Sequence, residues 1–142
     1  MPNCADREEV VRQLLARGNW SPNQARAAAR SCFHCEYCGL DLIESVAHYK
    51  LWQLDHIIPK HVKEERGEDP DHMDNLAISC KACNSDFKRR FDPSREAGPD
   101  PKREDLLEIV RKHIAPRRRR SEEEVAASAE DSWQDRQSKP IT

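Results

Sequence analysis

Two Cys-x-x-Cys pairs, Cys35/Cys38 and Cys80/Cys83, constrain this chain more than any other feature. Thiols at that spacing form a tight turn that grips a zinc ion from one side, and two such turns complete a closed tetrahedral site. The 41 residues between Cys38 and Cys80 exceed what a simple zinc ribbon places between its halves. An intervening strand and loop fit that length, so a metal would tie two knuckles across a small folded unit.

The remaining cysteines are Cys4 and Cys32. Cys32-x-x-Cys35 overlaps Cys35-x-x-Cys38, which leaves two registers for the first knuckle. Gly39 favours Cys35/Cys38, because such a turn often wants a positive φ at the next residue. Cys32 then stands as a reserve ligand and His34 as a bystander. A disulfide framework is the alternative, but it suits small secreted chains, and the N-terminus carries no apolar signal core. Loss of any one of the four knuckle cysteines should unfold the motif.

At 142 residues the length favours one domain, and 37% hydrophobic against 35% charged residues leaves a small core. A structural metal is one remedy for a small core. No window approaches the roughly 18 apolar residues of a membrane span, so a soluble, cytoplasmic protein is expected. Residues 1–80 carry 9 Lys/Arg against 13 Asp/Glu, residues 81–120 carry 13 against 7, and residues 121–142 carry 2 against 6. The basic middle block suits a polyanion-binding surface.

In order, Asp6–Arg17 reads as an amphipathic helix capped by Asp6 and ended by Gly18, and Ser21-Pro22 opens a second helix to about Arg30. These form an N-terminal helical flank over 1–31. A core over 32–92 contains a strand from Leu51 to Ile58, a charged surface loop from Lys60 to Asp74, a second strand Leu76–Ser79 and a helix from Lys81 to Phe91. Residues 40–50 are a strand or a loop. A C-terminal helix in 93–116 closes at Pro116. Residues 117–142, Arg-rich and then acidic, are expected to be disordered, with Trp133 as a docking residue for a protein partner.

Chemistry concentrates at Asp55-His56, at the end of the first strand. His56 can be neutral near pH 7 and take a proton from water, the role of a general base. Asp55 and Asn84 offer hard oxygen ligands for Mg²⁺ or Mn²⁺. Neighbours on a regular strand face opposite ways, so Asp55 and His56 converge on one phosphate only if the chain bends, which Pro59 permits.

Asp55-His56, Asn75 at a strand start, and Asn84 with Lys88 on a helix together resemble the HNH endonuclease family over residues 35–91. The resemblance implies an α+β fold with a ββα-metal core, stabilised here by a Cys4 zinc site and flanked by helices. It implies metal-dependent hydrolysis of DNA phosphodiester bonds, and the choice of DNA over RNA rests on it alone. Asn75 would brace the loop that orients His56. Asn84 stands where the family name has its last histidine, as in a known asparagine variant. Lys88 would approach the phosphate, with Arg89 and Arg90 on flanking backbone.

A competing reading keeps the zinc but not the chemistry: a nucleic-acid-binding or adaptor module with a degenerate nuclease motif. A weaker third is a toxin or packaging nuclease inside a larger assembly. In the module the Arg-rich segment and acidic tail would be the working parts; in the third reading the acidic tail could shield the basic block until DNA competes it away.

Overall fold

The structure, a computed structural model, describes Cys4 and residues 7–138, with side chains as far as residue 131. Asp6, the expected cap, and Trp133, the expected docking residue, fall outside the described residues and side chains respectively. Helix α1 (Glu8–Arg17) turns Val11 into the core, with Leu14 and Leu15 partly buried beside it. Gly18 ends it for a reason other than backbone freedom, because its φ is −93°. A Cβ there would lie 2.0 Å from the Trp20 indole nitrogen. That indole donates to the Leu14 carbonyl, stacks on Trp52 at 4.9 Å and meets Phe33 edge-on at 5.5 Å.

Helix α2 (Pro22–Ser31) starts with a full capping box between Ser21 and Gln24. Ala27 and Ala28 are fully buried, so the helix packs closely against the sheet behind it. Arg30 donates to the carbonyls of Met73 and Leu76 at 2.9 and 2.6 Å, and its role is structural. The helix stops where Cys32 and Phe33 both adopt a φ of 54°. Cys32 is not held in reserve for metal: it forms a disulfide with Cys4, with Cα atoms 5.7 Å apart. That bond fixes the start of α1 to the end of α2. A further short helix, α3 (Val46–Tyr49), and an isolated bridge between His34 and Asp41 fill residues 40–50.

Strand β1 (Trp52–His56) pairs antiparallel with β2 (Leu76–Cys80), with Asp55 opposite Ala77 and His56 opposite Leu76. Every residue of β2 is buried, whereas β1 is covered less completely. The charged stretch between them is not all loop. It contains α4 (Lys60–Glu65), because Pro59 sets the entry and Val62 turns inward as an anchor. After β2 comes a π-helix, Ala82–Lys88, shorter and wider than the expected 81–91 helix; the Arg89 N–H bonds back to the Asn84 carbonyl.

The last helix, α5 (Arg103–Ser138), overturns two expectations. It passes through Pro116 instead of closing there, and residues 117–138 are helical instead of disordered. Proline removes the N–H that would bond the Lys112 carbonyl, and at the next carbonyl, that of His113, the Arg117 guanidinium donates at 2.7 Å. The first half is also well tethered. Leu106, Leu107, Val110 and Ile114 are buried, Arg103 pairs with Glu36 and donates to the Leu76 carbonyl, and Arg111 donates to the Glu36 carbonyl. Among the described residues, no helix is long and apolar enough to cross a membrane.

Candidate functional site

The first knuckle is a turn closed by Gly39, whose φ is +79° as the spacing predicts and whose N–H donates to the Cys35 carbonyl at 2.8 Å. The second follows β2 directly, where the Cys83 N–H reaches the Cys80 sulfur at 3.5 Å. Glu36, inside the first knuckle, exchanges backbone and side-chain bonds with Ile78 and so laces the knuckle to the sheet. The sulfurs of Cys35, Cys38, Cys80 and Cys83 consequently all lie within 4.8 Å of one another. Four sulfurs at about 2.3 Å from a tetrahedral zinc would stand roughly 3.8 Å apart, and Cys38 and Cys80 are separated by 3.9 Å. The donor set therefore fits zinc in size and chemistry.

Hydrogen bonds between sulfurs, with Cys35 the main partner, bring the Cys38 thiol down to about 7 and the Cys80 thiol well below its ordinary value. The same contacts push Cys35 and Cys83 up. From α5, Arg118 donates to the Cys83 sulfur at 3.0 Å and lies 3.8 Å from that of Cys80. Its guanidinium also rests over the Phe87 ring at 5.1 Å. A cation placed there offsets the negative charge of metal-bound thiolates.

The other cluster forms where the π-helix crosses β1. Gln53 and Asp55, two apart, share one face of the strand. Asn84 and Lys88, four apart on the helix, lie over them. The Asn84 amide donates to the Gln53 Oε1 at 2.7 Å, and the Lys88 Nζ stands 3.1 Å from the Asp55 Oδ2. Asp55 also accepts from the Tyr37 hydroxyl at 2.6 Å. Tyr37 lies between the two cysteines of the first knuckle, so the zinc site and this carboxylate are mechanically joined. Burial is the main reason the Tyr37 phenol is held well above its ordinary value, with the Asp55 charge adding to it.

Lys88 is thus not free to meet a phosphate. Its side chain is 1% exposed, and its ammonium is shared between Asp55 and the His56 carbonyl at 3.1 Å. A buried carboxylate needs a cationic partner, and that demand draws the lysine inward. Arg89 and Arg90 remain exposed.

His56 projects away from this pair, and its Nε2 donates to the Asp71 Oδ1 at 2.8 Å. That hydrogen bond is the leading reason the Asp71 carboxyl lies below its ordinary value. Asn75 ties the neighbourhood together. Its amide donates to the Ile58 and Pro70 carbonyls, both at 3.0 Å, and its Oδ1 accepts from the Ile58 N–H at 2.8 Å. It therefore holds the bend after His56 and the residue before Asp71 at once. The structure brings Asp55, Asn84 and Lys88 to one strand face and holds His56 by a separate clamp.

Three participants escaped the sequence reading. Asp71 looked like one of several acids in a surface loop. Tyr37 gave a signal that could have been used: an aromatic hydroxyl inside a buried knuckle needs an acceptor. Gln53 gave none.

An antiparallel hairpin, a following short helix and a four-cysteine cluster make this an α+β domain of the ββα-metal type. Its candidate chemistry lies along the hairpin and helix. Compared with known families, residues 35–90 match HNH endonuclease. The match supports a nuclease or nucleic-acid-related function for this segment. No curated protein and no solved structure matches the chain.

Proposed function

We propose that the chain is a metal-dependent endonuclease that hydrolyses DNA phosphodiester bonds. The observation that supports this reading is that Asp55 and Asn84, brought to one strand face, each keep an oxygen without a partner among the described residues. Both contacts to Asp55 among the described residues fall on Oδ2, which leaves Oδ1 to a cation. Asn84 engages Gln53 through its NH₂, which leaves its carbonyl oxygen to the same cation. Mg²⁺ or Mn²⁺ held by two such ligands would keep most of its waters and supply charge neutralisation at the scissile phosphate.

The residues divide the remaining work. His56 gives its Nε2–H to Asp71, so the lone pair of Nδ1 is left to take a proton from the attacking water. Asp71 then stabilises the imidazolium. Asn75 keeps the histidine and its carboxylate in register. Cys35, Cys38, Cys80 and Cys83 hold structural Zn²⁺, and Tyr37 carries that rigidity to Asp55.

The Lys88 ammonium on the candidate ligand Asp55 favours a second reading, a zinc-stabilised DNA-binding module whose cation site is filled by lysine. Supercoiled plasmid separates the two. Zinc-loaded protein should nick it only when Mg²⁺ or Mn²⁺ is added, and His56→Ala should abolish nicking with zinc content and folding intact. Asp71→Asn should slow it by roughly tenfold or more, short of the 10²–10⁴ of a lost general base. Binding without cation-dependent nicking would select the module, and full activity in His56→Ala would reject the assignment.

A further inference from the structure

The four-arginine run at 117–120 lies beyond the HNH match, and helical periodicity divides it. Arg118 faces the zinc sulfurs. Arg117 and Arg120, three apart, share a face with His113 and Glu124 and look onto the π-helix. Between the two helices runs a cleft of about 680 Å³ whose opposite wall carries Arg89 and Arg90. Among the described residues, none of these four arginines forms an ion pair. Asp86 and Glu124 also line the cleft, so four cations face two carboxylates, and Lys88 is already neutralised by Asp55.

We propose that Arg89, Arg90, Arg117 and Arg120 form a cleft for the sugar–phosphate backbone of duplex DNA beside the candidate catalytic residues. Helix α5 then supplies half of the DNA interface. The inference rests on the nuclease reading for the identity of its polymer. Guanidinium forks match phosphate oxygens, and arginines on facing walls that have no carboxylate partner among the described residues can take successive phosphates. The aromatic rings of the cleft are already engaged, Phe91 on His113 at 3.7 Å and Phe87 under Arg118, which argues for backbone contact over base stacking. Asn84 lies on the same π-helix, so a strand held in the cleft continues toward the Asp55 and Asn84 oxygens. The contact of Arg118 with Cys83 fixes the rotation of α5 and hence the aim of its neighbours.

The test is the salt dependence of binding to a short duplex, read by fluorescence anisotropy with the zinc-loaded full chain in Mg²⁺-free buffer. Each lost phosphate contact lowers the slope of log K against log salt by about 0.9. Arg120→Gln should lower it by about 0.9 and Arg117→Gln with Arg120→Gln by about 1.8, up to roughly 60-fold in affinity at 0.1 M salt. Arg119→Gln removes the same charge outside the cleft and should leave the slope near wild type. An unchanged slope in the double variant, or equal losses from Arg119→Gln and Arg120→Gln, would overturn the cleft. Plasmid nicking by the same wild-type sample keeps the two readings apart. A lowered slope without nicking supports the cleft and removes the nuclease, and nicking with an unchanged slope does the reverse. Failure of the wild type to bind duplex at all would remove both.

Discussion

Replacing Lys88 with Met tests whether the Asp55–Lys88 pair is as buried as its geometry indicates. The side chains are 1% and 10% exposed, with the ammonium 3.1 Å from Oδ2. Met preserves the volume and removes the charge, leaving a carboxylate in the core. Breaking one side of a buried pair costs about 3–5 kcal/mol. Asp55 keeps the Tyr37 hydroxyl, a charge-assisted bond, so the low end, about 3 kcal/mol, is expected. In a chain of this size that corresponds to a melting temperature lower by roughly 10 °C. The assay is thermal unfolding by circular dichroism of zinc-saturated protein in Mg²⁺-free buffer, with Asp55→Asn and the double variant completing a cycle. The double variant should be more stable than the two single losses would sum to, because neither charge is then stranded. Mg²⁺ should stabilise Lys88→Met more than wild type, since no ammonium shares the carboxylate. A melting point within 2 °C of wild type, or an additive cycle, would refute the reasoning.

Other outcomes follow from single contacts. Gly18→Ala should destabilise by about 1–3 kcal/mol in urea unfolding, because the added methyl meets the Trp20 indole at 2.0 Å; the small gain usual for Gly→Ala would show that the indole moves aside. Arg118→Gln should weaken zinc binding roughly 10- to 100-fold in competition with a chelator, and unchanged affinity would deny it a role at the sulfurs. Cys80→Ser should abolish zinc uptake and unfold the hairpin, whereas Cys4→Ser should leave metal content intact and cost only the α1–α2 tether, as read by metal analysis and circular dichroism.

Features governed by local rules were legible in advance. Ser21-Pro22 sets its helix by capping alone, Gly39 closes a turn that needs a positive φ, and the Leu/Ile-rich runs around Asp55 and Ile78 pair as strands. Misreadings arose where a distant partner decides the outcome. Lys88, read as approaching a phosphate, looks like a free cation until Asp55, the acid it neutralises, is in place. The continuation of α5 past Pro116 depends on Arg103, Arg111 and Arg118 docking onto a knuckle more than 60 residues earlier in the case of Glu36. Charge composition alone reads that segment as a loose tail. Asp71 gains meaning only once the Pro70 carbonyl is held by Asn75, a contact no periodicity encodes.

The wide winding of Ala82–Lys88 gives the segment slack in one direction only. Each of its turns accommodates about one residue more than an ordinary helical turn, a form found mostly in brief insertions. Deleting a single residue after Asn84 would let it tighten to ordinary winding, with the Arg89 N–H, now four residues on, keeping its bond to the Asn84 carbonyl and the residues downstream still nearly in phase. A further insertion has no such outlet and would swing Lys88 away from Asp55 and re-aim the opening beside α5. Loss of one residue here is therefore the length change that a scaffold of this kind absorbs without moving where a substrate strand enters.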